Sequence, residues 1–231
     1  FLPPFQPRQV LDPQEPVSMG AMVGPEAFTE VRYLAHVKQM QALDLIPGWA
    51  AQFREAFGRD SGGLMHGYRM EDADTVVVAL GSVLGTIKDT VDGLREKGHR
   101  IGVLGITCFR PWPTEAIRKA LARAKKVVVV EKAFGVGLGG IVSANVRTSY
   151  AGSLDDVYTV IAGLGGRPIT TESLARVFLQ GAEGKLPALT FLDLNQAAVD
   201  RALAREREHR RSGPIAEAVV RDVGLVTAQL R

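Results

Sequence analysis

Three glycine-rich stretches, each close behind an apolar run, are the parts of this sequence best placed to do chemistry. Backbone N–H groups in such turns can cradle an anion at the start of a helix. The first is "LGSVLGTIK", in which Gly81, Ser82, Gly85 and Thr86 follow Val76-Val77-Val78-Ala79-Leu80. A Walker loop needs G-x-x-x-x-G-K-[ST]; here three residues separate the glycines and Lys88 lies three past the second. Gly81 and Gly85 therefore read as residues that let a strand turn tightly and a helix pack close to a sheet, with Ser82 or Thr86 as the helix cap. An anion at that helix start stays open. The second stretch, "EKAFGVGLGG", spells G-x-G-x-x-G at Gly135, Gly137 and Gly140. Its context argues against a dinucleotide loop. Four residues, Glu131 to Phe134, stand between the strand and the first glycine, and Asp155 and Asp156 precede the next strand where the acidic residue should end it. The third, "GLGGRPIT", carries Arg167, read as a turn arginine paired with a carboxylate elsewhere.

Reactive side chains are sparse. Glu131 ends an apolar run on the edge where α/β proteins build sites, so a carboxylate role is conceivable; the reading adopted is a structural pair with Lys132 or Arg110. Arg110, between Phe109 and Pro111, reads as a stacked surface arginine, with an interface or anion contact as the alternative. Cys108 has no histidine near it in sequence, which argues against a nucleophile. As the single cysteine it makes no internal disulfide, suits a reducing compartment, and cannot supply the four thiolates an iron–sulfur cluster usually takes. His36, His66, His99 and His209 are scattered singly and predict no metal site. No Ser/His/Asp set or carboxylate pair emerges. No catalytic, cofactor-binding or metal-binding residue is assigned to this chain.

The elements that would carry these turns form an alternating series. "DTVVVAL" precedes "GTIKDTVDGLREKG", closed by Gly98; "RIGVLGIT" precedes "PTEAIRKALARA"; "KKVVVVEKAF" precedes "GGIVSANVRTSY"; "DVYTVIAG" precedes "TTESLARVFLQG". Four strand–helix units predict an α/β domain with a mostly parallel sheet flanked by helices, its strands apolar on both faces. Upstream, a helix starts near Pro25 and a second opens at Pro47 and closes at Gly58; Trp49, Phe53 and Phe57, four apart, read as a core stripe. The first residues, with four prolines in thirteen, are irregular and carry no apolar signal core; starting at Phe1, the sequence reads as a piece of a longer chain. Downstream, "GAEGKLPAL" reads as a linker before helices within 195–210 and 215–230. The expected divisions are 1–60, an extended and helical segment; 61–185, the α/β domain; and 186–231, a helical extension.

Bulk numbers set limits. The 231 residues are 46% hydrophobic and 23% charged, in the range of a globular protein. No stretch reaches the roughly 18 to 20 apolar residues of a membrane span. The net charge of +3 is small, and its surplus sits in "RALAREREHRRSG", where Glu206 and Glu208 make a solvated helix. A nucleic-acid partner is not expected.

Several stretches, in order, resemble the α subunit of 2-oxoacid:ferredoxin oxidoreductases, nearest to the pyruvate enzymes. They are "FLPPFQPRQVLDPQEPVSMGAMVGPEAFTEVRY", "GYRMEDADTVVVALGSVLGTIKDTVDGLREKGHRIGVLGITCFRPWP" and "YTVIAGLGGRPIT". The resemblance spans about residues 1 to 180. It implies the tail of a pyrimidine-binding domain over 1–60 and a transketolase C-terminal-like domain over 61–185. It implies oxidative decarboxylation of a 2-oxoacid, commonly pyruvate, to acyl-CoA, with electrons passing to ferredoxin. Thiamine diphosphate, Mg, iron–sulfur clusters and coenzyme A are expected in the complete complex, on thiamine-diphosphate-binding and iron–sulfur subunits. The chain departs from a complete enzyme, because the family's GDG motif with its asparagine pair is absent. Packing between subunits, in a cytoplasmic hetero-oligomer, is the expected role, and the chain alone is expected to be inactive. Two alternatives stay open: a fragment of a thiamine-dependent 2-oxoacid dehydrogenase or transketolase, and a non-catalytic scaffold module of the same fold.

Overall fold

A computed structural model describes residues 3–7, 10–16, 20, 22–207 and 215–229. Its centre is a six-stranded sheet of order β1-β3-β2-β4-β7-β8. The strands are β1 Met65–Tyr68, β2 Thr75–Ala79, β3 Ile101–Ile106, β4 Lys126–Glu131, β7 Val157–Ile161 and β8 Leu189–Phe191; β5 Phe134–Gly135 and β6 Gly139–Gly140 form a separate ribbon. All pairings in the main sheet are parallel except β1 on β3, where Met65 faces Ile106 and Tyr68 faces Val103. The predicted mostly parallel α/β sheet is what the chain forms.

The valine runs explain why both faces are covered. Side chains alternate along a strand. On β2, Val77 and Ala79 join one buried cluster while Val76 and Val78 join the other. The first cluster is roofed by α2 Val83–Arg95 and α5 Thr171–Ala182 through Ile87, Val91, Leu174 and Phe178. The second is roofed by α3 Thr114–Ala120 and α4 Ile141–Ser149 through Ile117, Val142 and Val146. The chain thus leaves β2 over one face to reach β3, then returns over the other face to β4. Its direction of winding reverses between β2 and β4, which makes that boundary the switch point of the sheet.

Three expectations change. Pro47 opens no second helix: α1 runs unbroken as Phe28–Phe57 with Pro47 inside, and it starts after Pro25. A proline removes a single helix bond, and the flanking bonds carry the helix past it. No residue of α1 is buried, and Trp49 and Phe57 are 58% and 47% exposed, so the aromatic stripe is not core in this chain. The supposed linker runs straight into a strand at its last residue: in β8, Leu189, Thr190 and Phe191 pair with Thr159, Val160 and Ile161. Three residues are too few to display alternation, and the same shortness hides β1.

The helical end behaves in part as read. α6 Gln196–Arg207 and α7 Ile215–Gln229 pack together. Arg205 grips the buried Asp222 carboxylate with both Nη atoms at 3.0 and 3.1 Å, and this holds the Asp222 carboxyl below the usual carboxylate range. Glu208 to Gly213 of the basic stretch lie outside the described residues.

Two helical glycines give opposite forecasts. A Cβ on Gly93 of α2 meets nothing within 4 Å, so Gly93→Ala should stabilise the chain by about 0.5–1 kcal/mol through helix propensity alone. A Cβ on Gly181 of α5 would stand 2.6 Å from Val128 Cγ2 in the packed core, and overpacking costs about 1–3 kcal/mol. Gly181→Ala should therefore destabilise despite the same propensity gain. Urea unfolding of both variants decides; a stabilised Gly181→Ala contradicts the packing described.

Candidate functional site

The carboxyl ends of β2, β4 and β7 meet around a cleft of about 420 Å³. Its walls come from Leu80 to Val83 after β2, Glu131 to Ala133 after β4, and Ala162, Gly163, Gly166 and Arg167 after β7. The cleft stands at the switch point, the place where open α/β sheets bind ligands. It brings together the Gly81 turn, Glu131 and the Arg167 turn, which lie far apart in sequence.

Gly81 adopts φ +82°, the left-handed conformation that favours glycine, and so turns the chain directly from β2 into α2. Neither proposed cap acts as one. Ser82 precedes α2 without a side-chain cap bond, and Thr86 lies inside the helix, its carbonyl accepting from Thr90 Oγ1 at 2.7 Å. No Cβ at Gly81 or Gly85 would touch a neighbour, so Gly85 is not there for close helix–sheet contact.

Glu131 is 6% exposed. Its Oε2 accepts the Val142 N–H at 2.7 Å and its Oε1 the Ser143 N–H at 2.8 Å. The carboxylate therefore fills the N-terminus of α4, where free N–H groups and the helix dipole favour a negative charge. It pairs with neither Lys132 nor Arg110, which corrects the expected structural pair. Gly140, the residue before α4, leaves room for it; a Cβ there would collide with Glu131 Oε1 and Ser143 Oγ. Ser143 Oγ is buried beside this contact, with no hydrogen-bond partner among the described residues. The missed signal is that α4 starts with "GGIVS", offering no Ser, Thr, Asp or Asn at its cap, so an acceptor had to come from elsewhere.

The G-x-G-x-x-G stretch is the β5–β6 ribbon. Phe134 pairs with Gly140 and Gly135 with Gly139, and Gly137 and Gly139 take positive φ at the turn. The anion position that such a motif serves is already filled by Glu131. Behind it, Arg147 donates to the Val157 carbonyl at 2.8 Å and to Thr159 Oγ1 at 3.1 Å; burial lowers its pKa, and the Glu131 charge acts the other way. Arg167 donates to the Asp193 main-chain carbonyl at 2.5 Å, not to a carboxylate as expected; the Asp193 carboxylate pairs with Arg176 at 2.5 Å.

The remaining candidates lie apart. Arg110 stacks over Phe109, 4.1 Å from the ring centroid, and donates to its carbonyl. Cys108 points its thiol at the Pro111 carbonyl at 3.3 Å, and burial pushes the thiol up. Among the described residues, no three His, Cys, Asp or Glu side chains converge on a metal position. The donor set does not fit a Mg-bound diphosphate, because the carboxylate in the cleft is consumed by α4, and a single thiol does not fit a cluster.

Two outcomes check these assignments. Glu131→Gln turns an amide N–H₂ toward two backbone N–H groups and should cost about 2 kcal/mol of stability in urea unfolding, in the range of a buried charge-assisted bond. A cost under about 0.5 kcal/mol contradicts the cap. Cys108, with its thiol raised, should alkylate with iodoacetamide more slowly at neutral pH than a free cysteine and speed up only above the ordinary thiol range. Fast modification of the folded chain at neutral pH contradicts it.

Comparison with known proteins agrees with the resemblance. The pyruvate:ferredoxin oxidoreductase core domain II description matches residues 73–174, which include the cleft walls from β2 through the Arg167 turn. Pyruvate synthase subunit PorA of Methanosarcina barkeri is 41% identical over 205 residues, covering 85% of this chain and 50% of the relative. PorA of Methanothermobacter thermautotrophicus is 35% identical over 196 residues, with the same two shares. Ketoisovalerate oxidoreductase subunit VorA of Pyrococcus horikoshii is 32% identical over 180 residues, covering 77% of this chain and 46% of that one. The chain spans about half the length of the curated relatives it matches. The chain is thus alpha-subunit-like in its similarity to these 2-oxoacid:ferredoxin oxidoreductase subunits, with core domain II matched at residues 73–174.

Proposed function

We propose that this chain is a packing subunit, or part of one, in a 2-oxoacid:ferredoxin oxidoreductase that acts on pyruvate. The complete complex decarboxylates the 2-oxoacid to acyl-CoA and passes electrons to ferredoxin. Thiamine diphosphate, Mg, the iron–sulfur clusters and coenzyme A sit on other polypeptides, and the complex is cytoplasmic. No helix among the described residues is long and apolar enough to cross a membrane. Residues 61–185 serve as the α/β packing domain, flanked by 1–60 and by 186–231.

The observation that carries this reading is α1. It is thirty residues long and buries none of them, yet it presents Phe28, Leu34, Leu45, Trp49 and Phe57 to solvent. Exposed apolar surface on that scale marks a protein interface. The relatives are named as subunits, which suits an element shaped to be covered. The cleft agrees with the same reading, since its buried carboxylate is committed to α4.

Co-expression with the polypeptides encoded beside it tests this. The assembly should reduce methyl viologen in a pyruvate- and CoA-dependent reaction, while the chain alone should show no such activity. The double variant Leu45→Ser/Trp49→Ser, altering two exposed residues of α1, should weaken co-purification at least about tenfold with its thermal midpoint unchanged. Turnover by the chain alone, or unimpaired assembly of the variant, contradicts the reading.

A further inference from the structure

The two edges of the sheet treat charge differently. At the amino-terminal edge cations meet carboxylates: Arg95 with Asp72 at 2.6 Å, Lys125 and Arg100 with Asp74, and Lys126 with Asp156 at 2.5 Å. At the carboxyl edge, two cations line the cleft without a carboxylate. Lys132 forms no hydrogen bond or ion pair among the described residues, and Arg167 has only the Asp193 carbonyl. The one acid in the cleft, Glu131, has both oxygens turned to α4. Lys132 and Arg167 therefore meet the cleft with no carboxylate bonded to either among the described residues.

Its rim is apolar. Leu80 lines the cleft and is exposed, Leu164 follows the lining Gly163 in the chain and is exposed too, and the β5–β6 ribbon, which leaves the wall at Ala133, carries Val136 and Leu138 at 90% and 73% exposure. A small anion would satisfy Lys132 and Arg167 but would leave this rim in water. A polypeptide segment covers both. We propose that the cleft docks an Asp or Glu side chain, flanked by apolar residues, on a segment of a partner polypeptide. The carboxylate lies against Lys132 and Arg167, and the flanking residues cover Leu80, Leu164 and the ribbon. This inference rests on the chain being one subunit of an assembly, and it places a second contact on the molecule, away from α1.

Its chemistry is ionic and apolar contact, with no covalent step. Charge complementarity across an interface fixes register and excludes wrong partners, and reversing one charge of a close pair costs enough to read easily. Val136 and Leu138 sit on a two-strand ribbon whose Phe134 packs edge-on against Phe191 at 5.1 Å, so they are held up by a fixed element.

The test is photo-cross-linking in the purified assembly, with p-benzoylphenylalanine introduced at Leu164. The expected product joins this chain to a partner peptide that contains Asp or Glu beside apolar residues. Lys132→Glu should lower the yield about tenfold, and reversing the partner's acid to Lys should restore it. Lys132 has no partner among the described residues, so this variant leaves the fold intact; an unchanged circular dichroism spectrum and melting curve check that. The proposal is overturned by cross-links within this chain only, by a partner peptide lacking an acid, or by a yield indifferent to Lys132→Glu. If partner polypeptides still co-purify while the cleft gives no cross-link, the docking slot falls and the subunit reading stands.

Discussion

The contact between the Glu131 carboxylate and the first N–H groups of α4 fixes what the carboxyl edge of this sheet can do. A helix N-terminus at a switch point is where an α/β fold would ordinarily receive a phosphate. Here an internal acid takes that place at hydrogen-bond distances of 2.7 and 2.8 Å, and Gly140 is kept clear to admit it. The β5–β6 ribbon follows from the same contact. It carries the chain from the end of β4 out and back, so that α4 starts over Glu131. A sequence that spells a nucleotide fingerprint thus builds a self-capped helix.

With that position closed, the remaining features point outward. The sheet is buried on both faces and its amino-terminal edge is tied by ion pairs, so the core is self-sufficient. Among the described residues, large apolar side chains stand exposed along α1 and beside the cleft. Stability and assembly therefore draw on different residues: the valines of β2 and β4 and the roof of α2 and α5 hold the domain, while Trp49, Val136 and Leu138 stand exposed to other polypeptides.

Much of this was legible in the sequence, and the failures have physical causes. Continuous valine runs followed by amphipathic helices are unambiguous, and every strand–helix unit between β2 and α5 forms where its pattern lies. β1 and β8 were invisible because three or four residues carry no periodicity. The aromatic stripe of α1 was read correctly as apolar and wrongly as core, since spacing shows which residues seek burial but not which chain buries them. Glu131 was placed at the right edge with the wrong partner. Its real partners are backbone N–H groups, which have no letter in a sequence, and only the missing cap residue before α4 hinted at them. The motif order carried the family, whereas the cleft required the fold, because its three walls come from turns separated by whole strand–helix units.

The central claim is that this polypeptide lends surface, not cofactor chemistry, to its assembly. Calorimetric titration of the chain alone with thiamine diphosphate and Mg²⁺, repeated on the co-purified assembly, tests it most directly. The account predicts no saturable heat for the chain alone up to about 1 mM, where a site would contribute only about 4 kcal/mol, and saturable binding in the assembly. Saturable one-to-one binding to the chain alone, abolished by a substitution at Gly81 or Lys132, would contradict it.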